Sequence, residues 1–257
     1  MQGIVRGLFC YPIKGFSAQP LDEVDLQTGQ GFPWDRAYGF ARPGSGFDPD
    51  NPRPMPKTKF VALARDAGLA TLDTRFDPDT SILTIRRQGG VHSFDLKSED
   101  DRDAAARLLS HHLGFSDDMT PTLYSAQPHR FTDVSVVSKE MMNAVSLINL
   151  DSVTAFSRKI GSVVEPARFR ANILFSGIPP FSEMDWVGCV LKLGEVELRV
   201  VQRTKRCPAT EVDPGTGARN LDPPGLLRQH YGHSDMGVYA EVCGGGLIRP
   251  GDRLCLV

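Results

Sequence analysis

The residue best placed to do chemistry is Cys207, in the polar run Thr204-Lys-Arg-Cys-Pro-Ala-Thr-Glu-Val-Asp-Pro-Gly-Thr-Gly217 that follows the apolar segment Val196 to Val201. A cysteine that only fills a core has apolar neighbours, whereas this one follows Lys205 and Arg206, whose charge favours thiolate over thiol. Such an anion attacks an electrophile or ligates a soft metal. The plain alternative is an inert loop thiol. Thr210 and Asp213 lie close enough in sequence to shape a substrate pocket or relay protons. Equally, Asp213-Pro-Gly-Thr-Gly is a turn sequence in which the aspartate bonds its own backbone, and this is the favoured reading. Arg168 and Arg170 are two apart in a predicted strand from Arg168 to Phe175 and therefore share a face. His230 and His233 have neither HExxH spacing nor an acidic partner, and read as surface or satisfied histidines.

The elements that must position these residues are mostly strands. Ile4 to Tyr11, Arg36 to Ala41, Val61 to Leu72, Ile82 to Arg86, Asp133 to Val137, Cys189 to Leu193, Val196 to Gln202, Gly237 to Cys243 and Arg253 to Val257 carry β-prone patterns, with turn residues between many of them. Ser98 caps a helix that runs to about Leu113 and stops at Gly114. Ser138 introduces a helix from Lys139 to about Leu147, Asp151 one that ends near Gly161, and a short helical segment lies near Leu226 to Tyr231. Pro43 to Pro56 is too rich in proline for helix and is a long exposed loop, either a linker or a lid over a site. Many short strands with few helices predict an α+β fold, predominantly β, closed or partly closed as a barrel so that no edges stay exposed. The stretch Phe115 to Pro128 divides the chain, giving regions 1–118 and 119–257.

A chain of 257 residues accommodates one large domain or two of roughly 100–200 residues. The 29 Lys+Arg against 31 Asp+Glu leave a formal charge of −2 and no polybasic field, which argues against nucleic acid as a partner. No basic segment with an apolar run opens the chain, and no apolar stretch reaches the roughly 20 residues that cross a bilayer, so a cytoplasmic protein with no membrane partner is expected. Cys10, Cys189, Cys207, Cys243 and Cys255 are odd in number and widely spaced, and read as reduced thiols. All but Cys207 are explained as small apolar residues in strands.

The ordered set Cys207-Pro-x-Thr210-x-Val-Asp213-Pro-x-Thr216-Gly217, Gly237-Val-Tyr-Ala-Glu241 and Ile248-x-Pro-Gly-Asp252 resembles the MOSC family, named for the C-terminal domain of molybdenum cofactor sulfurases. Tyr11-Pro-Ile-Lys14 and Trp34-Asp-Arg36 in the first half are similar to the N-terminal β-barrel region that accompanies it. The resemblance implies an N-terminal β-barrel-like region followed by a MOSC β-barrel with a few flanking helices. It also implies a molybdenum cofactor, molybdopterin with Mo, whose metal is ligated by Cys207. For the cofactor phosphate and pterin the matched motifs offer Lys14, Gly15, Arg36, Arg168, Arg170 and Asn172, with Thr204, Lys205 and Arg206 beside the ligand. Many relatives have serine where Gly15 stands, so a backbone N–H or Ser17 is expected to replace that hydroxyl.

Similarity to amidoxime-reducing members of the family, mitochondrial and bacterial, implies a molybdenum-dependent oxidoreductase acting on small N-hydroxylated compounds: amidoximes, hydroxylamines and N-hydroxylated bases. Thr210 and Asp213 then stand with Cys207 as catalytic candidates. Without a cysteine cluster for an iron–sulfur centre, the chain is expected to take electrons from a separate ferredoxin, flavoprotein or cytochrome. The alternative function is a cofactor carrier or sulfurtransferase that uses Cys207 for delivery. A third reading, Cys207 as a hydrolytic nucleophile with a histidine base, finds no nearby histidine and no oxyanion-hole motif.

Overall fold

A computed structural model describes residues 2–257. Seven strands close into a barrel through the pairing of Gln2–Cys10 with both Ile173–Ser176 and Arg253–Leu256. From Ile173–Ser176 the order runs through Val145–Asn149, Asp235–Gly244, Val196–Lys205, Val190–Leu193 and Arg253–Leu256 back to Gln2–Cys10. Gln19–Leu21 adds an eighth strand outside the closed ring. The two earliest strands of the chain thus lie in a sheet with the latest ones.

Alternation along each strand explains how this barrel fills. In Val196–Lys205 the side chains of Val196, Leu198 and Val200 are buried while Glu197 and Arg199 face solvent. In Gln2–Cys10 the register shifts between Val5 and Gly7, so Val5 and Leu8 both reach the interior despite their odd spacing. Leu147, Phe175 and Val238 meet them there.

Beyond the barrel, Asp73–Asp77, Ile82–Arg87 and Gly90–Asp95 form a three-stranded meander, and Tyr38–Ala41 pairs with Thr122–Ser125. The helix Glu99–Leu113 packs beside them over a core that includes Phe16, Phe40, Leu69 and Leu109. Its start and stop are those expected: Ser98 accepts a hydrogen bond from the Asp101 N–H, and Gly114 takes the left-handed φ of 69° that ends the helix. Among the described residues no helix is long and apolar enough to cross a membrane.

Several local expectations are corrected. Asp133 to Val137 is a series of turns, because no neighbouring strand supplies hydrogen bonds; Val136 and Val137 remain exposed. The helix after Ser138 stops at Met142, since Val145–Asn149 is drawn into the barrel. Asn149, not Asp151, caps the next helix, Leu150–Ile160. Val61 to Leu72 is irregular and ends in a 3-10 turn, Ala67–Thr71. The strand predicted from Arg168 begins only at Ile173: Pro166 opens a 3-10 turn through Phe169, and Arg170 follows in the left-handed region. The Pro43 to Pro56 segment is irregular as expected, and it is anchored by Phe47, whose ring packs 5.1 Å from Phe131 and 5.7 Å from Phe60.

Candidate functional site

The alternation that fills the barrel is broken after Val200 by a register shift, so that Gln202 pairs with Tyr239 instead of the core-facing Ala240 or Val238. Beyond that shift Gln202, Thr204 and Arg206, with Tyr239 and its other neighbour Ser146 on the barrel strands, line a cavity of about 240 Å³. Asn172, just before Ile173–Ser176, and Lys14, Arg36, Lys57 and the Phe131 to Val134 segment add to the lining. Cys207 also lines it, half-buried, immediately before a 3-10 turn, Pro208–Glu211. The Cys207 carbonyl accepts from both the N–H of Thr210 at 3.0 Å and its hydroxyl at 2.9 Å. Thr210 thus holds the cysteine backbone.

Seven cationic residues and two carboxylates line this cavity, so it is built for an anion. The cations differ in how much hydrogen-bonding capacity they retain. Among the described residues Arg170 donates once, from Nη1 to the Phe16 carbonyl at 2.7 Å, which leaves four of a guanidinium's five donors without an acceptor there. Arg36 donates to Asp35 Oδ2 at 2.5 Å and to the Arg170 carbonyl at 3.1 Å. Arg206 donates to Phe169 O at 2.8 Å and through Nε and Nη2 to Met236 O. Burial pulls Arg170 down to about 10, with Arg36 adding repulsion, and burial pulls Arg206 to about 10 as well. An arriving anion relieves that cost.

Lys14 and Lys57 converge on one carboxylate. Lys14 Nζ donates to Phe131 O at 2.9 Å and forms a close ion pair with Asp133, whose other oxygen lies 3.6 Å from Lys57 Nζ. Burial lowers Lys14 despite Asp133. At Lys57 burial works downward too, but Asp133 first, with the neighbouring Cys207 side chain, outweighs it and raises the lysine. Asp133 is lowered, because its two lysines outweigh burial.

The remaining sequence candidates fall into two groups. Asn172 lines the cavity, but its amide is engaged with Phe9 O, Ser146 N and Ser146 Oγ. Thr204 Oγ1 is buried without a partner on the cavity wall. Lys205 lines it with an exposed side chain. Gly15 lines it at φ 85°, where a Cβ would come 2.9 Å from Leu69 Cδ1. Ser17, offered as a substitute hydroxyl, is engaged with Leu72 O and Thr74 N instead. Arg168 is on the wall, but the shared strand face expected with Arg170 does not exist.

Asp213 is not brought to the cavity. Its Oδ1 accepts from the N–H groups of Gly215 and Thr216 and from the Thr216 hydroxyl, the turn expected of the sequence. Those bonds hold its carboxyl at about 2.

Tyr11, Asp35, Lys57, Asp133 and Tyr239 are site residues that the sequence reading did not assign. Tyr11 and Asp35 sit inside the quoted motifs, so their proximity to Lys14 and Arg36 was a usable signal. Lys57 and Asp133 carry none, because only folding brings them to Cys207.

The family model for the MOSC N-terminal beta barrel domain matches residues 2–116, and that for the MOSC domain matches residues 112–255. Human mitochondrial amidoxime-reducing component 1 is 23% identical over 99% of this chain and 83% of its own length. Molybdenum cofactor sulfurase from Caenorhabditis elegans is 41% identical over 32% of this chain and 11% of its own. Among solved structures, the YUAD protein from Bacillus subtilis aligns over 99% of this chain and 94% of that one, with a TM-score of 0.46 and 14% identity. With two family models matched end to end along it, the chain belongs to the MOSC domain family.

Proposed function

We propose that this chain binds a molybdenum-containing pterin cofactor, with the Cys207 thiolate on the metal, and reduces N-hydroxylated compounds such as amidoximes. One observation carries the reading: Cys207 shares a cavity with the half-buried Arg170, four of whose five donors have no acceptor among the described residues, and with the buried Arg206, which pairs only with backbone carbonyls. The donor set fits such a group. A soft metal takes a thiolate, a phosphate takes Arg36, Arg170 and Arg206, and the unpartnered Thr204 hydroxyl offers one more polar contact. The match to amidoxime-reducing relatives along the whole chain supports the choice of substrate class.

When bound, the group supplies two-electron chemistry at a metal centre able to accept a substrate oxygen. This chain's residues orient and protect it. Thr210 fixes the Cys207 backbone, and Arg170 and Arg36 are held by Phe16 O, Asp35 and each other. Lys57, kept protonated by Asp133 and Cys207, presents a charged N–H donor beside the sulfur to an incoming oxygen. The two electrons come, in this reading, from a separate ferredoxin, flavoprotein or cytochrome.

Metal and pterin analysis of protein from a cofactor-competent host tests the first half of the reading, and near-stoichiometric molybdenum is expected. Chemically reduced holoprotein should then turn over an amidoxime; Cys207→Ala should abolish this and Cys255→Ala should not. Protein free of both metal and pterin would remove the proposal. Loaded protein inert toward a broad N-hydroxy panel would instead point to cofactor or sulfur delivery.

A further inference from the structure

We infer that Arg168 is a positioning residue for Cys207, and that the tripeptide Arg168-Phe169-Arg170 sets the spacing between the sulfur and the anion-binding guanidiniums. The inference rests on the reading of Cys207 as the metal-binding sulfur only for its consequence, not for its geometry.

Arg168 is 3% exposed, and all five of its donors are engaged within the protein. Nε donates to Glu165 Oε2 at 2.6 Å. Nη1 donates to the carbonyls of Thr210 and Glu211, at 3.5 and 3.1 Å. Nη2 donates to Asp213 Oδ2 at 3.1 Å and Asn220 Oδ1 at 2.8 Å. No donor remains for a ligand, so this arginine does not act as Arg170 does. Its guanidinium grips the segment that follows Cys207, and Thr210, one of the residues it holds, in turn donates twice to the Cys207 carbonyl.

The rest of the tripeptide holds the other side of the sulfur and the anion cluster. The Phe169 carbonyl accepts from Arg206, the residue before Cys207, and its ring lies 5.1 Å from that guanidinium. The Arg170 carbonyl accepts from Arg36, and the Arg170 side chain itself lies in the cavity wall. One short turn, opened by Pro166 and closed by the left-handed Arg170, is therefore joined to residues on both sides of Cys207 and to the cations that would take a phosphate. A ligand that bridges sulfur and cations meets a span set by this turn.

The cofactor-free full-length protein tests this with two readouts at one fixed pH: site-resolved iodoacetamide alkylation of Cys207, and binding of inorganic phosphate by calorimetry. Arg168→Met should release the loop and speed Cys207 alkylation about fivefold or more through easier local opening, with Cys243 unchanged. Its phosphate affinity should stay within about twofold, since no phosphate-facing donor is lost. Arg170→Met should do the reverse: roughly tenfold weaker phosphate binding with Cys207 alkylation unaltered. Unchanged Cys207 reactivity in Arg168→Met, or a loss of phosphate binding equal to that of Arg170→Met, would overturn the assignment. Asp213→Asn weakens the same grip with a near-isosteric change, and must raise Cys207 reactivity selectively even if Arg168→Met does not fold. Neither readout uses the cofactor, so a failure of the metal assay and a failure here are separate results.

Discussion

Arg36 and Arg170 both lie over the ring of Tyr11, each guanidinium carbon 4.4 Å from the ring centroid, although the two carry like charge. Both have positive φ, 49° and 51°, a conformation non-glycine residues take only when surrounding contacts impose it. Here the contacts are visible: Asp35 pairs with Arg36, the Arg36 side chain reaches the Arg170 carbonyl, and the Tyr11 hydroxyl bonds Ala171 O at 3.3 Å.

Tyr11 is therefore expected to act as a platform for the anion site. Tyr11→Leu removes two cation–π contacts of about 0.5–2 kcal/mol each and should weaken phosphate binding about tenfold or more. Tyr11→Phe keeps the ring face and loses one hydroxyl bond, about 1 kcal/mol of stability, with phosphate affinity little changed. Calorimetric titration and thermal melts check both.

Gly15→Ser should destabilise the fold by about 1–3 kcal/mol, because the residue sits at φ 85° with Leu69 Cδ1 2.9 Å from the position of a Cβ. The matching fall in melting temperature is the readout. A serine accepted without loss would show that the turn after Lys14 can relax.

Asp213 should contribute to the acid limb of stability. Its carboxyl titrates at about 2 in the folded chain against 3.8 ordinarily, owing first to the Thr216 N–H, then to the Thr216 hydroxyl and the Gly215 N–H. A depressed carboxyl stabilises fully above its unfolded value, and that contribution is lost as pH falls from about 4 toward 2. Denaturant unfolding across this window should show a flatter slope in Asp213→Asn than in the unaltered protein.

Glu183 should act in the opposite direction. It is fully buried, and burial raises it above the ordinary 4.5 in spite of hydrogen bonds from Ser152 and Asn149. A raised carboxyl favours the fold below its unfolded value and loses that contribution as pH climbs through the folded one. The stability difference between the unaltered protein and Glu183→Gln should therefore shift against the unaltered protein above pH 4.5; a pH-independent difference would contradict the shift.

Features encoded by near neighbours were legible in the chain itself. Ser98 and Gly114 bound their helix because a cap needs only the adjacent turn, and the alternation Val196, Leu198, Val200 reveals a core-facing strand because side chains repeat every two residues. Cys207 stood out for the same reason: its basic neighbours and the turn at Asp213 are local, and the cysteine does lie on the cavity wall.

What tertiary structure alone decided depends on partners far away in sequence. Val134 to Val137 has strand composition but no strand to pair with, and Val145–Asn149 was taken from a predicted helix by a barrel whose other strands begin as early as Gln2. Arg168 and Arg170 look equivalent in the chain; among the described residues one has every donor engaged, four of them on the segment that follows Cys207, and the other keeps four free. The Lys14–Asp133–Lys57 cluster joins residues from opposite halves of the first 133 positions. Such assignments follow from which groups are left unpaired once backbone pairing and burial are complete, a property of the folded whole that no local pattern carries.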